Sequence, residues 1–204
     1  MSTWLQNSLF NNKHRTLFGQ PLQQSWAAIG TYEKLLQAHR DELYWICEIG
    51  TGFGILSTYF ALWCDGRNVP FLTIDKNRLF GRQTLRVLEF LGADVVAEDC
   101  FSEAGHQRIA SFITQFPGLL FCDGGYKLKE ATTFAPLLPL QSIVVIHDYG
   151  REVKPVQMEA IPELEPYESW HTQSLGMNTK AGIFQRVQPP IEHDESDTQP
   201  EEGQ

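Results

Sequence analysis

Positive charge is scarce in this sequence: 16 lysines and arginines face 25 aspartates and glutamates, for a formal net charge of −9. With no run of lysine or arginine to offset it locally, that balance argues against a nucleic-acid backbone as the main partner, since such binding needs a positive field. Long apolar runs are missing too. No stretch approaches the roughly eighteen apolar residues of a spanning helix, and the first 30 residues hold no apolar leader segment, so the chain reads as soluble and cytoplasmic, without a membrane partner. No C-x-x-C pair occurs. The four cysteines, Cys47, Cys64, Cys100 and Cys122, lie in or beside apolar segments, which suits buried thiols in a reducing compartment better than a disulfide framework. A P-loop ending in Lys-Ser or Lys-Thr is absent, so nucleoside triphosphate hydrolysis lacks its main phosphate contact.

What is present is a glycine cluster. In "EIGTGFG", Gly50, Gly52 and Gly54 follow the short apolar run 43–49 and precede a helix-like run over 53–64. Glycines there permit a tight turn and a close approach of backbone to ligand, and the free N–H groups of the following helix favour a polar or anionic group. The spacing is G-x-G-x-G rather than the G-x-G-x-x-G of a dinucleotide site. A chain of 204 residues suits one well-buried α/β domain.

The unit then repeats. Strands are predicted over 43–49, 69–74, 93–97, 119–122 and 142–146, and helices over 53–64, 78–91, 102–116 with Ser102 as N-cap, and 129–137. Strands joined by helices of that length predict a mostly parallel sheet with helices on both faces. Residues 1–40 form an N-terminal extension whose helix over 21–39 is expected to cap the pocket rather than belong to the sheet, and the domain proper spans 41–188. After Gly150 three prolines, Pro155, Pro162 and Pro166, leave only a short helix over 156–161, and 170–175 with 182–187 suggest a terminal antiparallel hairpin. The acidic tail 189–204 has almost nothing to bury and reads as disordered. Trp4, Phe10, Phe18 and Trp26 are candidates for a lid or for anchors of the extension.

In open α/β sheets ligands bind outside the carboxyl ends of the strands. Each predicted strand end here carries chemistry: Glu48 before Gly50, Asp75, Glu98 with Asp99, Asp123, and His147 with Asp148. Asp75, about 25 residues beyond the glycine turn, is placed to accept both hydrogen bonds of a ribose diol.

In order, "EIGTGFG", "TIDKN", "AEDCFSE", "FCDGGY" and "VVIHDYG" resemble the motifs of class I S-adenosylmethionine-dependent methyltransferases, with "AGIFQR" similar to the family's last strand. The resemblance implies a Rossmann-like fold with a mostly parallel seven-stranded sheet. It also implies a methionine portion framed by Glu48, Gly50, Thr51, Gly52 and Gly54, ribose hydroxyls on Asp75, and adenine beside Asp99 and Cys100, with Asp123 nearby. The sequence most resembles the macrocin O-methyltransferase and cephalosporin hydroxylase-like group, which acts on hydroxyls of small molecules or sugars. That group commonly surrounds a divalent cation, Mg2+ or Mn2+, with carboxylates at positions matching Asp123, His147 and Asp148. His147 replaces an acid there, so it is a ligand for a borderline metal or, without metal, a base for the acceptor proton.

Lys127 is a further candidate, as base or as stabiliser of the developing oxyanion, although "KLKE" also reads as a solvent-facing face. Tyr126 and Tyr149 flank the expected site, and segment 151–170 overlies it as the natural determinant of acceptor choice. Two other readings stay open: a cofactor-binding domain that has lost catalysis and serves as an interaction module, and a nicotinamide-dependent oxidoreductase. The early third glycine counts against the latter. A nucleic-acid methyltransferase lacks its (Asn/Asp)-Pro-Pro-(Tyr/Phe) sequence after the fourth strand, where "CDGG" stands. An open sheet can pair through several surfaces, so a homo-oligomer is compatible with the sequence.

Overall fold

A computed structural model describes residues 16–17, 20–21, 24–77, 79–113 and 115–188. Seven strands form one sheet: β1 (Ile46–Ile49), β2 (Phe71–Ile74), β3 (Asp94–Val96), β4 (Leu119–Cys122), β5 (Ile143–His147), β6 (Leu164–Pro166) and β7 (Ala181–Arg186). Their spatial order is β3-β2-β1-β4-β5-β7-β6, parallel from β3 to β5 and antiparallel for β7 and β6. Among the described residues six α-helices accompany them: α1 (Trp26–Ala38), α2 (Ile55–Asp65), α3 (Arg82–Phe90), α4 (Glu103–Phe112), α5 (Lys127–Phe134) and α6 (Glu168–Gly176). A two-residue antiparallel ladder joins Thr16–Leu17 to Gln20–Pro21 ahead of α1.

The central strands are apolar because both faces are covered. β1, β2 and β4 are buried at every position, and alternate residues feed two cores. Cys47, Leu72, Leu120 and Val144 meet Ile109 of α4 and Phe134 of α5 on one side, while Ile46, Phe71, Phe121 and Val145 meet Leu36 of α1, Phe60 of α2 and Leu88 of α3 on the other. Ser102 caps α4 as predicted, accepting from the Gly105 amide at 3.0 Å. All four cysteines are free and buried. Among the described residues, no helix is long and apolar enough to cross a membrane.

Helix α1 buries Ala28, Tyr32, Leu35 and Leu36 in the second core, while Ser25 and Ala27 at its start face the carboxyl edge of the sheet. One expectation changes. Residues 170–175 are helical, not strand, and the antiparallel partner of β7 is β6, paired from Leu164↔Arg186 to Pro166↔Phe184. Proline is tolerated there because β6 is an edge strand. The loose alternation of 170–175 misled because Ser174, a polar residue, faces inward, where its hydroxyl donates to the Ala181 carbonyl at 2.7 Å. Trp4, Phe10, Phe18 and the tail 189–204 lie outside the described residues.

Glu48 is the exception to the apolar rule in β1. It is 1% exposed and accepts from the Ser57 and Thr73 hydroxyls, the latter at 2.6 Å. Burial pushes its carboxyl from 4.5 up to about 8, against the opposing effect of those two hydrogen bonds. The folded chain therefore holds a proton that the unfolded chain releases above 4.5, so this contribution to stability is complete below about 4.5 and is lost as pH rises through about 8. Glu48→Gln is expected to flatten the fall in melting temperature between pH 5 and about 8. Thermal unfolding across that range checks this, and an unchanged slope would contradict it.

Candidate active site

The turn after β1 is set by conformation and by contact. Gly50, Gly52 and Gly54 have φ of 100°, 52° and 76°, values that favour glycine. At Gly50 a Cβ would lie 2.4 Å from the Asp123 carbonyl oxygen, so only glycine lets the β1 turn rest on the end of β4. The Asp123 amide donates to the Ile49 carbonyl at 2.9 Å and closes the same junction. Here the strand order reverses, the place where α/β sheets open a crevice.

A cavity of about 750 Å³ occupies that crevice, with Gly50, Gly52, Asp75, Asp123, Lys127, His147 and Asp148 in its lining. A recess of about 40 Å³ adjoins it, bordered by Asp75, Asp99, Cys100, Phe101 and Tyr126. Asp75 is fixed at the rim: its Oδ2 accepts from the Gly52 amide at 3.0 Å and its Oδ1 from the Asn77 amide at 2.9 Å. Glu48, Thr51 and Gly54 do not line either space. Glu48 is turned into the core, Thr51 is buried with its hydroxyl 2.6 Å from that of Thr73, and Gly54 packs on Thr84 and Phe80 at the start of α2. These three support the turn from behind, because β1 alternation sends Glu48 away from the crevice.

Across the cavity the charged residues form one cluster. His147 Nδ1 lies 2.8 Å from Asp123 Oδ1 and 3.5 Å from Asp148 Oδ2. Since a carboxylate can only accept, the short contact assigns the proton to Nδ1. Gln24 Nε2 donates to Asp123 Oδ2 at 2.8 Å, and Ser25 and Ala27 line the cavity, so the start of α1 and the chain before it reach the site. Lys127 Nζ donates to Glu152 Oε2 at 2.8 Å and lies 3.8 Å from Asp123 Oδ1 and 3.9 Å from Asp148 Oδ2. Lys127 is 8% exposed, in contrast to the solvent-facing reading of "KLKE". Burial alone would lower its pKa, but the Glu152 bond and the charges of Asp123, Glu152 and Asp148 prevail and hold it above the ordinary lysine value. It is an ammonium at neutral pH and not a base. Among the described residues, no group of three or more histidines, cysteines, aspartates or glutamates is arranged to hold a metal ion.

Two supporting residues gave no sequence signal. Glu130, 1% exposed, accepts from the Gly124 amide at 3.2 Å and the Tyr126 amide at 3.1 Å, which pins the loop after β4; burial raises its carboxyl to about 7. Gln24 sits in a polar stretch with no periodicity. Tyr149 packs against His171 and Phe184, with ring centroids 5.2 and 5.4 Å away, whereas Tyr126 is exposed.

No protein-family model matches the chain, and no curated protein matches it in sequence. Solved structures match the fold. The Mg-SAM form of CmcI aligns over 85% of this chain and 77% of its own length at a TM-score of 0.63 and 13% identity. Its apo form aligns over 85% and 76% at 0.64 and 14%, and its SAH form over 85% and 83% at 0.60 and 13%. With the sheet order and crevice above, these likenesses define a class I S-adenosylmethionine-dependent-methyltransferase-like fold.

Removing the Lys127 ammonium leaves Asp123 and Asp148 facing each other without their cation. Lys127→Met is expected to lower the unfolding free energy by about 2 kcal/mol, a partly buried ion-pair loss. Denaturant titration at neutral pH measures this, and a stability equal to wild type would contradict the pairing.

Proposed function

We propose that this chain transfers a methyl group from S-adenosylmethionine to a hydroxyl oxygen of a small molecule or sugar. The observation that carries the reading is a single cavity with the Gly50/Gly52 turn and Asp75 on one side and the Asp123–His147 pair on the other. The cofactor, when bound, supplies an activated methyl on a sulfonium sulfur. The residues present fit it: a turn where a Cβ would collide with backbone, an oriented Asp75 for ribose hydroxyls, and a recess at Asp99 and Cys100 for the adenine ring. The Mg-SAM and SAH forms of CmcI, which share the fold, support the same choice.

The protein's work is then placement, exclusion of water and removal of one proton. With its proton on Nδ1 held by Asp123, His147 keeps the Nε2 lone pair for the acceptor hydroxyl. With the cofactor bound, its methyl carbon would pass to the acceptor oxygen and its sulfur would leave as the thioether, while Nε2 of His147 is placed to take the hydroxyl proton. Lys127, as a fixed ammonium, offsets the negative charge of Asp123 and Asp148 and of the acceptor oxygen as it loses its proton.

A divalent cation at Asp123, His147 and Asp148 fits these residues poorly. The Lys127 ammonium stands within 4 Å of both carboxylates, where it repels a second cation. Magnesium also prefers an all-oxygen shell. No step of the proposal runs through a metal.

Calorimetric titration of the full chain with S-adenosylmethionine and S-adenosylhomocysteine tests the reading. Binding in the roughly micromolar range is expected, with loss of at least about tenfold in Asp75→Ala. His147→Ala is expected to bind S-adenosylhomocysteine as wild type does while slowing turnover of an identified acceptor by about 10²- to 10⁴-fold. Absence of binding by either ligand would overturn the methyl-transfer reading.

A further inference from the structure

We propose that the acceptor of this site is an anion, its carboxylate or phosphate group held by Arg151 and Lys180 beside His147; this inference rests on the methyl-transfer reading. The chain is acidic overall, yet four of its 16 lysines and arginines, Lys76, Lys127, Arg151 and Lys180, border this one cavity. Pairing sets Lys127 apart, and position sets Lys76 apart. Lys127 is committed to Glu152, Asp123 and Asp148, and Lys76 stands on the Asp75 side with its Nζ 5.8 Å from the centre of the Tyr126 ring. The opposing carboxylates are engaged as well: Asp123 by His147 and Gln24, Asp75 by two backbone amides. Arg151 and Lys180 remain, exposed at the border; neither forms a salt bridge among the described residues, and the charge of Arg151 reaches Glu152, whose hydrogen-bonded partner is Lys127.

The fold brings these two cations together at the end of β5. His147 pairs with Ala181 across the β5–β7 ladder, the Tyr149 amide donates to the Lys180 carbonyl at 3.0 Å, and the Arg151 amide donates to the Asp148 carbonyl at 3.0 Å. Both side chains thus spring from backbone tied to the base and its neighbour. Lys180 is also held at φ 59°, a left-handed conformation that glycine adopts more readily. Asp148 and Asn178, which line the same cavity, share that conformation at 53° each. Unfavourable backbone gathered at one crevice marks a site where side-chain placement matters more than local comfort.

The chemistry follows from the two groups. A guanidinium offers paired donors to a carboxylate or phosphate, and the ammonium adds a second point charge, so together they orient an anionic acceptor with its hydroxyl toward His147. Their field also draws anions toward the cavity, an effect that salt weakens.

The test uses the full chain saturated with S-adenosylhomocysteine and matched probes: 3,4-dihydroxybenzoate against 3,4-dihydroxybenzamide for the carboxylate arm, and glucose 6-phosphate against glucose for the phosphate arm. In at least one arm the anion is expected to bind about tenfold more tightly than its neutral partner, and the better arm identifies which anion is preferred. Arg151→Ala and Lys180→Gly are each expected to reduce that preference to about twofold or less, while Lys180→Gly melts no lower than wild type because glycine accepts the backbone. Neutral probes binding as well as the anions, or neither anion binding, would overturn the proposal. So would a loss of S-adenosylhomocysteine affinity in both variants, which would give these cations to the cofactor's own carboxylate. Failure of wild type to bind S-adenosylhomocysteine is a separate result, visible before any probe is added, and overturns the underlying reading instead.

Discussion

The backbone of Gly50 rests on the carbonyl of Asp123, and the carboxyl edge of the sheet is built around that contact. A side chain at Gly50 would stand 2.4 Å from that oxygen, so the β1 turn and the end of β4 approach only because one residue has no Cβ. Two consequences follow. The Gly52 amide is placed to bind Asp75, and the Asp123 carboxylate is presented to His147 across the crevice. The half of the site that suits a nucleoside and the half that suits proton transfer therefore share one piece of backbone geometry.

Electrostatics at this edge are balanced locally despite the acidic chain. Burial raises the carboxyls of Glu48 and Glu130 to about 8 and about 7, so each carries less negative charge beneath the turn than an exposed glutamate would. Asp123 and Asp148 face the Lys127 ammonium, which three carboxylates hold in its charged form. Arg151 and Lys180, both exposed, stand on the border of the cavity beside β5.

Much of this was legible in the sequence because periodicity and turn chemistry are local signals. The run 119–122 matches β4 residue for residue, Ser102 caps α4 as its position suggests, and Asp75, Asp123, His147 and Asp148 all reach the crevice from strand ends. What failed depends on distant packing. Helix 168–176 buries the polar Ser174, bonded to the β7 backbone, so no apolar stripe marks 170–175 as helical. Glu48 sits at a strand end in sequence, yet the two-residue alternation of β1 turns it into the core. Lys127 reads as part of a solvated run until Asp148 and Glu152, more than twenty residues away, are folded against it. Gln24 acts through a hydrogen bond to Asp123, 99 residues away, and Glu130 through bonds to two loop amides just before it; neither contact leaves a periodic pattern in the sequence.

The measurement that bears most directly on the central claim is the diffraction structure of the full chain grown with S-adenosylhomocysteine. The account predicts ribose hydroxyls within about 3 Å of the Asp75 carboxylate, the adenine ring in the recess beside Asp99 and Cys100, and the sulfur facing the side of the cavity that holds His147. Density for the ligand elsewhere on the molecule, or in the crevice with Asp75 unengaged, would contradict it.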